Sequence, residues 1–143
     1  TMCSDKRMRS AEMDADLLFL FGKKPGTLSL YEAGEALILR EFPDVKVIVK
    51  KTQVSFSSRY GFAYLWPPTR KINGREGTYI VLSFGLGYRL ENPRIVESVE
   101  PYPGRWTHHT LISSPNDLDE EAVIWLREAY DFSMNKGRRR QPL

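Results

Sequence analysis

The chain's only two histidines lie side by side in a short run that could support chemistry, Arg105-Trp106-Thr107-His108-His109. An imidazole can exchange a proton near neutral pH, and a guanidinium can bind an anion. The run also reads as part of a β-strand, so its two histidines should point to opposite faces of a sheet. The sequence leaves open which histidine is buried. The run is therefore a candidate binding edge, a candidate general-base site or an ordinary strand.

Metal binding and nucleophilic catalysis find little support in the sequence. Histidines on opposite faces cannot easily share an ion, and a zinc site needs three or four converging ligands. The single cysteine, Cys3, lies in a polar, unpatterned stretch that would not hold it against a base. Serines are plentiful, but there is no Gly-x-Ser-x-Gly motif. We therefore predict no metal centre and no cofactor.

Acidic residues are absent from the segments that read as strands. The chain has no Asp or Glu from Val45 to Arg75, and none at 78–86 or 106–112. Glycoside hydrolysis and metal-dependent phosphodiester cleavage both need carboxylates held rigidly around the substrate. This distribution argues against a glycosidase and against a nuclease that carries its acids on adjacent strands.

Basic, hydroxyl and amide side chains remain as candidates for a binding surface. If Val54 and Phe56 point into the core, the residues that alternate with them point to the opposite face. The predicted ligand-binding residues are Lys51, Gln53, Ser55, Arg59, Tyr64, Arg105, His108 and His109. Such a face would offer donors to a small anionic ligand or a protein partner, with Tyr64 or Trp106 available for stacking. The alternative is an ordinary solvated sheet face.

Hydrophobic periodicity predicts the elements that must position these residues. Helices are predicted from Ser10 to Phe21, from Thr27 as a cap to Phe42, and from an Asp117/Glu120 capping box to about Met134. About four strands are predicted between the second and third helices, at 45–56 with a one-residue phase slip, 62–66, 78–86 and 106–112. Asn73-Gly74 predicts a hairpin turn, and residues 94–99 a short helical turn.

This order of elements predicts the fold class. Strands and helices do not alternate, so we expect an α+β fold in which an antiparallel sheet of about four strands carries the N-terminal and C-terminal helices on one face. A single domain is predicted over 10–134, with 1–9 and 135–143 as flexible ends. The longest apolar run is too short to span a membrane, and one cysteine fits a reducing compartment. A cytoplasmic protein is therefore expected.

The net charge of +3 depends on the C-terminal residues. Four of the positive charges belong to Lys136, Arg138, Arg139 and Arg140, so the remainder carries −1 (+3 − 4). A nucleic-acid-binding protein usually shows a basic patch on the fold itself. Two alternatives stay open: a nucleic-acid-associated accessory protein, or an enzyme with His108 or His109 as general base. The first would use Arg59, Arg70, Lys71, Arg75 and the basic tail.

Two stretches of the chain resemble the family catalogued as domain of unknown function 5655. They are KTQVSFSSRYGFAYLWPPTR at 51–70 and YIVLSFGLGYRLENPRIVESVEPYPGRWTHHTLISSPNDLDEEAVIWLREAYDF at 79–132. The similarity runs from about Leu17 to Phe132. The resemblance implies a short bacterial protein or a module that follows other domains, predicted nucleases among them. It implies no activity and no catalytic residues, and the nuclease association is not transferred to this chain. A non-catalytic binding or regulatory module is the favoured hypothesis.

Overall fold

A computed structural model describes residues 11–68 and 77–135 of the chain. The three α-helices are α1 (Ala11–Phe21), α2 (Thr27–Glu41) and α3 (Glu120–Met134), with a short 3-10 turn at Pro115–Asp117 before α3. The six strands are β1 (Lys46–Val49), β2 (Val54–Ser57), β3 (Gly61–Trp66), β4 (Ile80–Leu86), β5 (Ile95–Tyr102) and β6 (Arg105–Ile112). Within these residues no helix is both long enough and apolar enough to cross a membrane.

All six strands form one sheet in the order β1-β2-β3-β4-β6-β5, and every neighbouring pair is antiparallel. The hairpin of β5 and β6 is turned so that β6 pairs with β4, which leaves β5 at one edge and β1 at the other. The predicted α+β class and antiparallel sheet are confirmed. The predicted number of about four strands is wrong, because two features of the sequence were misassigned.

The first misassigned feature is the phase slip at residues 45–56. It marks a tight hairpin between β1 and β2, in which the Lys50 N–H donates to the Gln53 backbone oxygen at 2.8 Å. The second is the segment 94–99, in which residues 95–99 belong to strand β5 and not to a helical turn. Glu97, Glu100 and Pro101 obscured this strand in the sequence, since charged residues and proline are tolerated mainly on edge strands.

The core lies between one face of the sheet and all three helices, as predicted. Val54, Phe56 and Leu65 are fully buried on this face. Phe56 packs beside the stacked rings of Phe21 and Tyr31, which joins β2 to α1 and α2. The hydrophobic residues of β4 that share this face extend the same core to α3. The sheet is therefore held rigidly from one side.

The start of α3 differs in detail from the prediction. Asp119 is the N-cap, and its carboxylate accepts a hydrogen bond from the Ala122 N–H at 3.1 Å. Asp117 closes the capping box of the preceding 3-10 turn with Ser114 instead. Arg94 fastens this region to the sheet, because its guanidinium contacts Asp119 at 3.1 Å and the Asp117 backbone oxygen at 2.7 Å.

The opposite face of the sheet carries a line of polar side chains, which we call the polar row. It consists of Ser55, Tyr64, Ser83, His109 and Glu97, each paired directly with the next across five adjacent strands. Side chains in direct register on one face of a sheet lie close enough to interact. The polar row is therefore the part of this face where a site could be built.

Candidate functional site

A cavity of about 760 Å³ opens at one end of the sheet. It lies where the β1–β2 turn, the end of β3 and the start of β4 face the connection between α1 and α2. Its walls are formed by Leu20, Phe21, Lys23, Lys24, Thr27, Lys51, Thr52, Gln53, Trp66, Pro67, Pro68 and Tyr79. This volume is within the range of sites that bind small organic molecules.

The three lysines in the cavity wall are held to different degrees. Lys24 Nζ donates to the Gly77 backbone oxygen at 2.6 Å and lies 5.9 Å from the centre of the Tyr79 ring. Lys23 Nζ lies 5.1 Å from the centre of the exposed Phe19 ring. Lys51 is exposed on the β1–β2 turn and forms no ion pair with a residue that the structure describes. Lys51 is thus the ammonium group with the most freedom to meet a ligand.

Thr27 fixes the turn that carries two of these lysines. The prediction that Thr27 caps α2 is wrong, because Gly26 occupies the cap position with a positive φ of 90° and Thr27 is the first helical residue. The buried Thr27 hydroxyl contacts the backbone oxygens of Phe21 and Lys24. These contacts tie the end of α1 to the start of α2, so the cavity wall is firm on this side.

The rest of the wall offers mainly apolar and aromatic surface. Phe21, Trp66 and Tyr79 contribute rings, and the half-buried Gln53 contributes an amide. None of the residues that line the cavity in the described part of the chain is acidic. The cavity therefore combines positive charge with flat hydrophobic surface, and no residue of its described wall neutralises that charge.

Trp66 connects the cavity with the polar row. Its Nε1 donates a hydrogen bond to Ser83 Oγ at 2.9 Å, and the same oxygen lies 2.6 Å from His109 Nδ1. The indole and imidazole rings also meet edge to face, with their centres 5.7 Å apart. Three side chains on β3, β4 and β6 thus form one hydrogen-bonded unit. We call this unit the Trp66–Ser83–His109 chain.

The two histidines occupy different environments on opposite faces of the sheet, as strand alternation predicts. His109 is half-buried beside Ser83; burial lowers its pKa, and the Glu97 carboxylate acts in the opposite direction. His108 is fully buried on the helix side, where burial also lowers its pKa and the Phe84 backbone opposes the shift. His108 faces the core, so it cannot meet a ligand at the polar row or the cavity.

The structure separates the eight residues predicted to bind a ligand into distinct places. Lys51 and Gln53 line the cavity, whereas Ser55, Tyr64 and His109 lie in the polar row. Ser55 Oγ is buried and has no hydrogen-bond partner among the residues that the structure describes. The alternation of core-facing and outward-facing residues at β2 was therefore predicted correctly, but the outward-facing side chains belong to two neighbouring regions and not to one pocket.

The predicted grouping of Arg105 and Arg59 with these residues is wrong. Arg105 is the first residue of β6 and lies six residues before Leu111. Leu111 and Trp66 both pair with Val81, so they lie at the same level of the sheet. At about 3.3 Å per residue, Arg105 lies about 20 Å along the sheet from the cavity end. Arg59 is in the β2–β3 turn at that same distant end. Neither guanidinium can contribute to the cavity.

Sequence reasoning missed Lys23, Lys24, Trp66, Tyr79 and Ser83. The signal for Ser83 was available, since it is the one polar residue in the strand Ile80–Leu86 and a buried hydroxyl requires a partner. The lysines of the α1–α2 turn carried no comparable signal, because a lysine in a turn is usually only solvated.

Some of the predicted chemistry falls on residues that the structure does not describe. Arg70, Lys71, Arg75, the Asn73-Gly74 turn and the basic tail all lie outside 11–68 and 77–135. Inside those ranges, no three His, Cys, Asp or Glu side chains come together in a way that could hold a metal ion.

A six-stranded antiparallel sheet with three helices on one face, and a cavity at one end, defines an α+β domain. The chain belongs to the family described as Domain of unknown function (DUF5655), whose model matches residues 19–133. This match includes the whole sheet, the cavity wall and the polar row, and it confirms the resemblance seen in the sequence. No curated protein and no solved structure matches the chain.

Proposed function

We propose that this protein is a cytoplasmic, non-catalytic binding module whose cavity receives a small organic anion with a flat apolar body. The observation that carries the proposal is the presence of three lysines and three aromatic rings around one cavity that has no acidic residue in its described wall. An ammonium group can pair with a carboxylate, sulfonate or phosphate, while ring faces take up the apolar part of the ligand.

The chemistry of the wall favours binding over catalysis. The described wall holds no imidazole, carboxylate or thiol, which are the groups most often used for acid–base or nucleophilic steps. His109 is separated from the cavity by the Trp66 ring, since it reaches that ring only through Ser83 and an edge-to-face contact. A general-base role for His109 on a ligand in the cavity is therefore not supported.

Titration with the fluorescent anion anilinonaphthalene sulfonate tests the proposal. We expect saturable binding at one site, because the dye combines a sulfonate with fused rings. Lys51→Met should weaken binding by about tenfold, which corresponds to about 1.4 kcal/mol. Lys46→Met is the matched control, since Lys46 is an exposed lysine of β1 that does not line the cavity.

Competition defines the ligand class further. Naphthoate should displace the dye, and the neutral naphthalenemethanol should displace it much less, because only the former can pair with an ammonium group. Binding that does not saturate, or an equal loss in Lys46→Met and Lys51→Met, would show that the dye meets the surface in general. Either result would overturn the proposal.

A further inference from the structure

Trp66 takes part in two structures at once. Its ring forms part of the cavity wall, and its only polar hydrogen is donated to Ser83 Oγ. An indole N–H cannot accept a hydrogen bond, so the direction of this contact is fixed. Any ligand that packs on the Trp66 ring therefore acts on a group whose orientation Ser83 helps to set.

The number of available hydrogens determines what His109 can do. A serine hydroxyl has one hydrogen and two lone pairs. When His109 is neutral with its hydrogen on Nε2, Trp66 donates to Ser83 and Ser83 donates to His109 Nδ1, so each contact has one donor and one acceptor. Both hydrogen bonds within the Trp66–Ser83–His109 chain are then satisfied.

Protonation of His109 disturbs this arrangement. Both ring nitrogens then carry hydrogens, so Nδ1 must donate to Ser83 Oγ, which already accepts from Trp66. The hydroxyl hydrogen of Ser83 would need another acceptor, yet Ser83 is only 3% exposed and has no third hydrogen-bond partner in the described part of the chain. When His109 is neutral, the donation from Trp66 strengthens the donation from Ser83 to His109, whereas in the protonated state Trp66 and His109 both donate to the one Ser83 oxygen. Protonation therefore weakens the contact between Trp66 and Ser83.

The charged and titratable surroundings of His109 allow this protonation to occur. Glu97 faces it from β5, Tyr64 adjoins Ser83 from β3, and His108, its neighbour on β6, points to the other face. The Glu97 carboxylate favours the imidazolium form against the effect of burial.

We propose that the cavity and His109 are linked through Trp66 and Ser83, so that protonation of His109 weakens the binding of an anion in the cavity. This inference rests on the proposed function of the cavity. Its sign is distinctive, because a purely Coulombic effect would make a new positive charge strengthen the binding of an anion. By linkage, a bound ligand that holds Trp66 on Ser83 must lower the affinity of His109 for its proton.

The link can be tested without any ligand, because the chain has only two histidines. Their ring signals are followed by NMR over a pH titration of the wild type, Trp66→Phe, Ser83→Ala and the double variant. Removal of the indole donor should raise the pKa of His109 more when Ser83 is present than in the Ser83→Ala background. If Trp66→Phe only changes the desolvation of His109, the pKa of His109 should shift by the same amount with Ser83 present and in the Ser83→Ala background. That result would overturn the link. If Ser83→Ala does not fold, Ser83→Cys provides a weaker hydrogen-bonding group of similar size.

The dye provides the second test. Its sulfonate stays ionised, so its dissociation constant in the wild type should rise about fivefold or more as the pH falls through the titration of His109. In His109→Gln this rise should disappear, and in Ser83→Ala it should disappear or reverse. Tighter binding of the dye to the wild type at low pH would overturn the inference. Absence of dye binding at every pH would overturn the proposed function instead, while the NMR comparison would still decide whether Trp66 and His109 are linked.

Discussion

One residue step along β6 changes the surroundings of an imidazole completely. His108 stacks on Phe84 with ring centres 5.3 Å apart, and its Nε2 accepts the Leu90 N–H at 2.9 Å. His109 contacts Ser83 and lies near Glu97 on the other face. Burial lowers the pKa of both histidines, so the folded state holds both in the neutral form more strongly than the unfolded chain does.

This difference predicts that the protein loses stability in mild acid. The unfolded chain takes up protons on histidine below about pH 6.5, whereas the folded chain takes them up only at lower pH, so the free energy of unfolding falls as the pH drops through that window. Each unit by which a pKa is lowered contributes about 1.4 kcal/mol. Urea unfolding at about pH 7.5 and about pH 5 should show the loss in the wild type.

His108→Gln separates the core histidine from its neighbour. Glutamine keeps an acceptor for the Leu90 N–H but has no proton to gain, so the acid-dependent loss should become smaller. His109→Gln, measured in parallel, shows how much of the acid-dependent loss in the free energy of unfolding comes from the histidine of the polar row. An unchanged free energy of unfolding between the two pH values in the wild type would contradict the assignment of both histidines as neutral groups.

At the scale of elements, the close approach of α2 to β3 sets how the sheet meets its helices. Gly34 is buried on α2, and a Cβ built there would lie 2.8 Å from Leu65 Cδ1. Leu65 is fully buried and cannot swing away freely. The missing side chain therefore permits a contact between helix and sheet that any larger residue would push apart.

Gly34→Ala should destabilise the protein in spite of alanine's better helix propensity. Overpacking in a core costs about 1–3 kcal/mol, while the gain in helix propensity is at most about 1 kcal/mol. Ala36→Gly on the exposed face of α2 is the matched control, since it measures the propensity difference alone. Leu65→Val should partly rescue Gly34→Ala in a double variant. If Gly34→Ala is more stable than the wild type by urea unfolding, the tight contact is not real.

The sequence predicted the elements in which apolar side chains follow a regular pattern. It did not predict the elements that lack such a pattern. The apolar stripes of α2 and α3 and the apolar run of β4 gave the right element at nearly the right place. The segment that became β5 gave no such pattern, because it is an edge strand that carries Glu97, Glu100 and Pro101. The tight β1–β2 hairpin appeared only as a phase slip, since its turn has no Asn-Gly or Asp-Gly signal.

At the scale of the whole molecule, the candidate site could be predicted only in part. Parity along β2 correctly assigned Gln53 and Ser55 to sides away from the core, since alternation within one strand is local. The distance between these residues and Arg105 depends on strand order and register, which cannot be read from a single strand. The lysines of the α1–α2 turn join the site only through packing of the helices against the end of the sheet. A site formed at such a junction is visible only after the chain has folded.

The distribution of charge over the molecule yields the last prediction. Residues 136–143 carry four Lys and Arg side chains, so a chain truncated after Asn135 changes its net charge from +3 to −1 (+3 − 4). If the cavity is the binding site, the truncated chain should bind anilinonaphthalene sulfonate with an affinity within about twofold of the full chain, because the lysines proposed to pair with the sulfonate lie within residues 11–68. Retention of DNA and RNA on filters at low salt should fall instead, since phosphate binding follows the number of available cations.

Substitution of Arg138, Arg139 and Arg140 by serine is the control that keeps the length of the chain. Loss of dye binding in both variants would assign the anion to the tail, and strong, salt-dependent retention of nucleic acid by the truncated chain would favour a basic surface on the fold itself.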